Sequence, residues 1–86
     1  MSEVLFVANI PWATTEEELK EYLETAVPVR AVKIIKDRQT GESRGFGFAN
    51  MNNKEDAKAC REKLDNTLFN GRKLRVDYAK SEPRGY

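Results

Sequence analysis

Residues 44–51 read Arg44-Gly45-Phe46-Gly47-Phe48-Ala49-Asn50-Met51, and the side-chain alternation of this stretch decides the fold. Successive side chains of a strand point to opposite faces. One face therefore carries Arg44, Phe46, Phe48 and Asn50, and the other Gly45, Gly47, Ala49 and Met51. The second set is small and apolar and suits the space beneath packed helices, with Met51 filling irregular gaps. The first set places two rings beside a cation. Were it the buried set, an arginine would lie unpaired in a core, at a cost on the order of several kcal/mol. Leu5 and Val7 of the first strand would also turn outward. The pleat is thus expected to put Leu5, Val7, Val32, Ile34, Leu74 and Val76 in the core, and Phe6, Phe46 and Phe48 together on an exposed face.

The rest of the chain supplies the layers for that core. Val4 to Ile10 is apolar and reads as a strand closed by Pro11. Thr15 with Glu18 forms a capping box ahead of a helix whose Leu19, Tyr22, Leu23 and Ala26 share one side. Pro28 ends that helix. Ala31 to Lys36 reads as a second strand, and residues 37–43 as a charged turn around Gly41. After the third strand, Asn52 or Asn53 caps a second helix buried through Ala57, Cys60 and Leu64. Residues 69–72 (Phe69-Asn70-Gly71-Arg72) read as a turn in a small hairpin. Lys73 to Ala79 is the last strand. The order strand, helix, strand, strand, helix, strand is an α+β, ferredoxin-like βαββαβ sandwich: a four-stranded antiparallel sheet with two helices on one face. The other face stays open.

The chain has 86 residues, which suits one domain; residues 1–80 are expected to form it and residues 81–86 a flexible tail. No apolar run approaches the ~18 residues of a membrane span. The start of the chain shows no cleavable signal, so an intracellular protein, nuclear or cytoplasmic, is expected. The single cysteine, Cys60, excludes an internal disulfide and a multi-cysteine metal site. The net charge of +1 is a weak nucleic-acid footprint, but acid and base are segregated along the chain. Glu16, Glu17, Glu18, Glu21 and Glu24 crowd the first helix, whereas Lys33, Lys36, Arg38 and Arg44 mark the middle of the chain. Rings exposed beside cations suit single-stranded nucleic acid, whose bases stack and whose phosphates meet the cations.

Arg44-Gly45-Phe46-Gly47-Phe48-Ala49-Asn50-Met51 resembles the octapeptide of the RNA recognition motif family. Leu5-Phe6-Val7-Ala8-Asn9-Ile10 resembles its companion hexapeptide. Residues 36–43 resemble the loop before the octapeptide, and residues 71–76 the start of the last strand. The resemblance spans residues 4 to 80. It implies that Phe6 and Phe46 stack bases, that Phe48 contacts sugars or sits between nucleotides, and that Arg44 meets a phosphate. It further implies that Lys33, Asn50, Arg75 and Asp77 face the ligand, and that Asp77, Ala79 and Lys80 hydrogen-bond base edges, some through backbone groups. Ala49 and Met51 stand where the family usually has a β-branched residue and an aromatic, and Arg61 where it has an aliphatic. Trp12 has two readings: packed under its loop, or flanking the RNA site.

Catalysis has little support. The chain has no histidine, so it lacks an imidazole base or ligand. Gly45 and Gly47 lack the third glycine of a dinucleotide loop, and no phosphate-binding loop signature occurs. The expectation is a monomeric binder of single-stranded RNA, working in RNA processing or post-transcriptional regulation, with no cofactor, no metal and no membrane partner. The rival readings are a domain that docks a protein through its helical face, and a binder of single-stranded DNA.

Overall fold

The computed structural model describes residues 3–79. Its elements are β1 (Val4–Ala8), α1 (Glu16–Glu24), β2 (Val29–Lys36), β3 (Ser43–Met51), α2 (Lys54–Leu64), β4 (Leu68–Phe69), β5 (Arg72–Lys73) and β6 (Arg75–Tyr78). β2, β3, β1 and β6, in that spatial order, form one antiparallel sheet, and β4 with β5 forms a separate small hairpin. The expected ferredoxin-like sandwich is the observed fold. The expected tail, residues 81–86, and Lys80 lie outside the described residues.

Each helix starts where its cap is. The Glu18 N–H donates to Thr15 Oγ1 at 3.1 Å and the Thr15 N–H donates to Glu18 Oε1 at 3.2 Å, the reciprocal pair of a capping box. Of the two asparagines that could cap α2, Asn53 does so, its Oδ1 accepting the Asp56 N–H at 2.7 Å. The helices bury Leu19, Leu23, Ala57, Cys60 and Leu64 against Leu5, Val7, Ile34, Ala49, Met51, Leu74 and Val76 of the sheet. Ala49 and Met51 are fully enclosed there. Burial of this apolar area is the main favourable term for so small a domain.

Three element bounds differ from expectation by two residues. β1 stops at Ala8, because Asn9 takes a left-handed backbone (φ 60) before Pro11 is reached. Its side chain steadies that turn by donating to the Lys73 carbonyl at 2.8 Å. β2 begins at Val29, directly after Pro28, not at Ala31. Lys73 belongs to the hairpin and not to the last strand, which begins at Arg75.

β3 is also less regular than simple alternation implies. Between the pairs Ile34↔Gly47 and Lys36↔Ser43, β2 uses Ile35 where β3 uses Arg44, Gly45 and Phe46. This bulge turns on Gly45, whose φ of +81 is rarely open to other residues. Gly47 answers a different need: a Cβ there would collide with the carbonyl oxygen of Lys33 on the neighbouring strand.

Both outer strands of the sheet are met by a carboxylate. Glu16 Oε2 accepts the Ile34 N–H of β2 at 2.8 Å. Asp65, at the end of α2, accepts the Val76 N–H of β6 at 2.8 Å. Each helix thus satisfies one outward-facing donor of the edge nearest to it.

Candidate nucleic-acid interface

The face away from the helices is ordered by strand register. Lys33, Phe48, Phe6 and Asp77 lie in one row across β2, β3, β1 and β6. Phe46, Ala8 and Arg75 make the next row, and Asn50 lies opposite Val4 and Ala31 on the far side of Phe48. Strands run about 4.8 Å apart, so side chains within a row touch. The Phe6 and Phe46 ring centroids are 5.7 Å apart with planes at 40°, and those of Phe6 and Phe48 are 5.6 Å apart at 60°. Phe6 and Phe46 lie beside one another, tilted and not stacked face to face. Both are half-buried, whereas Lys33, Asn50 and Arg75 are exposed.

Phe48 departs from the expected trio of exposed rings. It is on the open side of the sheet and outside the cluster beneath the helices, yet only 5 % exposed. It sits mid-row, between Phe6 on one strand and Lys33 on the other.

The polar residues divide by what already engages them. Asp77 accepts Arg61 Nε at 3.0 Å and the Tyr78 N–H at 2.8 Å. The Arg61 guanidinium lies 5.0 Å from the centre of the Tyr78 ring. Arg61 thus reaches from α2 around the edge of the sheet to hold Asp77, a role that its departure from the family pattern did not reveal. The available signal was its place four residues after Ala57, on the buried side of α2. Arg75 Nε approaches Asp65 Oδ1 at 3.4 Å, with its side chain 68 % exposed. The Ala79 N–H donates to the Val4 carbonyl at 2.9 Å, so that donor is already used within the sheet.

Arg44 is placed by the bulge and not by the pleat. It is exposed, and with Asn9, Ile10, Trp12, Ser43, Gly45 and Arg72 it lines a shallow hollow of about 410 Å³ at the end of the sheet. Trp12 is not packed under its loop: it is 75 % exposed. In the preceding turn, Asp37 Oδ1 accepts the Gln39 and Thr40 N–H groups at 2.8 and 3.1 Å, which holds its carboxyl below the ordinary aspartate value. Nothing among the described residues gathers three metal-ligating side chains.

The family model described as RNA recognition motif matches residues 5–75 of the chain. The chain belongs to the RNA recognition motif family. Nucleolin of Mus musculus is 44 % identical over 84 residues, which is 98 % of this chain and 12 % of nucleolin. Cleavage stimulation factor subunit 2 of Homo sapiens is 41 % identical over 78 residues, 91 % of this chain and 14 % of that protein. The chain thus corresponds to one small part of each. Among solved structures, RNA binding protein PG1 superposes with a TM-score of 0.87 at 38 % identity, covering 96 % of this chain and all of that one. The Rna15 domain of this family, solved with RNA (GU) bound, superposes with a TM-score of 0.83 at 27 % identity, covering 94 % of this chain and 86 % of the other.

Proposed function

We propose that this domain binds single-stranded RNA across the open face of the sheet, with bases stacked on Phe6 and Phe46 and phosphates met by Arg44 and Lys33. The observation that carries the reading is the pair of half-buried rings 5.7 Å apart on the face that no helix covers. Arg75 and Asn50 flank these rings, and Asp77, held by Arg61, lies at the β6 edge of the same face. Ala79 lies at the exit of that strand, where base edges would be met. Membership of the family and the RNA-bound Rna15 neighbour support RNA as the ligand.

Stacking contributes about 1–3 kcal/mol per base, and ordering a flexible strand offsets part of it. A net near −8 kcal/mol corresponds to a Kd of about 1 μM. In this reading the domain acts as a monomeric binding module in RNA processing, without catalysis of its own.

Amide chemical-shift mapping with a panel of short RNAs tests the assignment. The expected shifts fall on residues 6, 33, 46 and 75, on the sheet. Shifts confined to α1 and α2 on addition of a protein partner, with none from RNA, would replace this reading with a protein-docking one. Equal affinity for DNA of the same sequence would show that the 2′-hydroxyl is not read.

A further inference from the structure

We propose that Trp12, with Arg44 and Arg72, forms an additional nucleotide-binding position beyond the end of the sheet; this rests on the RNA-binding reading above and extends the path of the strand. Trp12 is 75 % exposed, although an indole is the largest apolar surface a side chain can hide. It borders two hollows of opposite character. The hollow at the end of the sheet contains Arg44 and Arg72 and no carboxylate among its lining residues. The other, of about 590 Å³, runs between the loop after β1 and the loop after β2, and there Glu16, Glu17 and Glu42 outnumber Lys36. A phosphate is attracted to the first and repelled from the second, so the strand is directed over the sheet-end side of the indole.

Continuity favours the same route. Arg44 and Gly45 line the hollow and lead directly along β3 to Phe46. The Gly45 carbonyl accepts the Ile10 N–H at 2.9 Å, which ties the Trp12 loop to the β3 bulge. Asn9 fixes the other wall through its bond to the Lys73 carbonyl, next to Arg72. Among the described residues neither Arg44 nor Arg72 is in an ion pair, and the Asp37 carboxylate acts on Arg44 only at longer range, so no direct contact has to break before either meets a phosphate. A base stacked on the indole places its phosphate between an aromatic face and two guanidinium groups, the arrangement that single-strand binders use.

The chain contains a single tryptophan, so its fluorescence reports this position alone. The 86-residue chain is titrated with random-sequence RNA of about three and about six nucleotides, the shorter matching the two or three bases that a sheet of this family stacks. Labelled-RNA anisotropy and Trp12 emission are read together. The expected result is quenching by the longer RNA only. Trp12→Ala should weaken the longer RNA by at least about fivefold, the lower limit for one stacked base, and the shorter by less than about twofold. Trp12→Phe should recover most of the loss. Arg72→Ala should lower the salt slope by about 0.7 for the longer RNA only. If the longer RNA binds in a Phe46-dependent manner while Trp12 emission is unchanged and Trp12→Ala is neutral, the additional position is overturned and the sheet reading stands. If neither RNA binds, both fall.

Discussion

Phe46 and Phe48 are two residues apart and chemically identical, yet truncating them should do opposite things. Phe48 is 5 % exposed, so Phe48→Ala opens a void in a covered row. Burial of a phenylalanine in a core is worth about 3–5 kcal/mol against alanine. Phe48 lies outside the helix-covered cluster, which points to the lower end, about 3 kcal/mol. At roughly 4–8 °C per kcal/mol for a domain of this size, Tm should fall by more than about 10 °C. Phe46 is half-buried, and its contact with Phe6 is worth about 0.5–1.5 kcal/mol. Its larger effect should be on binding: the loss of one stacked base, about 1–3 kcal/mol, or a Kd raised about 5- to 150-fold. Thermal and urea unfolding of both variants, followed by anisotropy titration at a temperature where each is folded, separates the two effects. The reasoning is refuted if Phe46→Ala binds RNA like the parent, or if Phe48→Ala melts with it.

Arg44→Ala should weaken RNA binding and reduce the dependence of log K on log salt by about 0.7, one single-strand phosphate contact; an unaltered slope would remove that contact. Gly47→Ala should destabilise the domain by at least about 1–3 kcal/mol, because the added methyl group meets the Lys33 backbone and not a movable side-chain tip; an unchanged urea midpoint would contradict the close approach of β2 and β3. Burial pushes the Cys60 thiol from 9.0 up to about 11. A folded-state value raised in this way gives stability that is present below pH 9.0 and is lost as pH rises toward 11. Alkylation of Cys60 at neutral pH should therefore proceed only through unfolding and accelerate in urea; rapid labelling of the native domain would show that the thiol is accessible.

The pleat of β3 is legible from Phe46 to Met51, where Phe46, Phe48 and Asn50 alternate with the small or apolar Gly47, Ala49 and Met51. Arg44, on which the choice of face rests in the sequence, lies beyond the Gly45 bulge, where simple alternation no longer holds. The caps are legible for a similar reason, the second to within one residue: Thr15 and Asn53 act on donors three residues away, within the span that a local pattern covers, although Asn52 fitted that pattern too. What depends on a neighbouring strand is not legible. Two glycines in one strand look alike in sequence, but Gly45 carries the positive φ and Gly47 the close approach, a distinction set by how β2 and β1 pair with β3. Alternation likewise assigns Phe48 to a face and says nothing of how much of the ring stays exposed there. The Arg61–Asp77 pair joins residues 16 apart across a sheet edge, and nothing local links them. Glu16 reads as one more acid suited to a helix start, and its bond to β2 emerges only once the layers are stacked.

That bond and its counterpart from Asp65 have a consequence for chains that carry many such modules. Tethering raises the local concentration of neighbouring modules to about the millimolar range. At such densities an unprotected outermost strand invites the next module to zip onto it, and on toward fibres. Here the donors at Ile34 and Val76 are already committed to carboxylates of their own module. Lateral growth through either of those two positions would first have to detach a helix end from the strand. The same two carboxylates that finish the fold thus also let modules of this kind be crowded on one polypeptide and still remain separate beads.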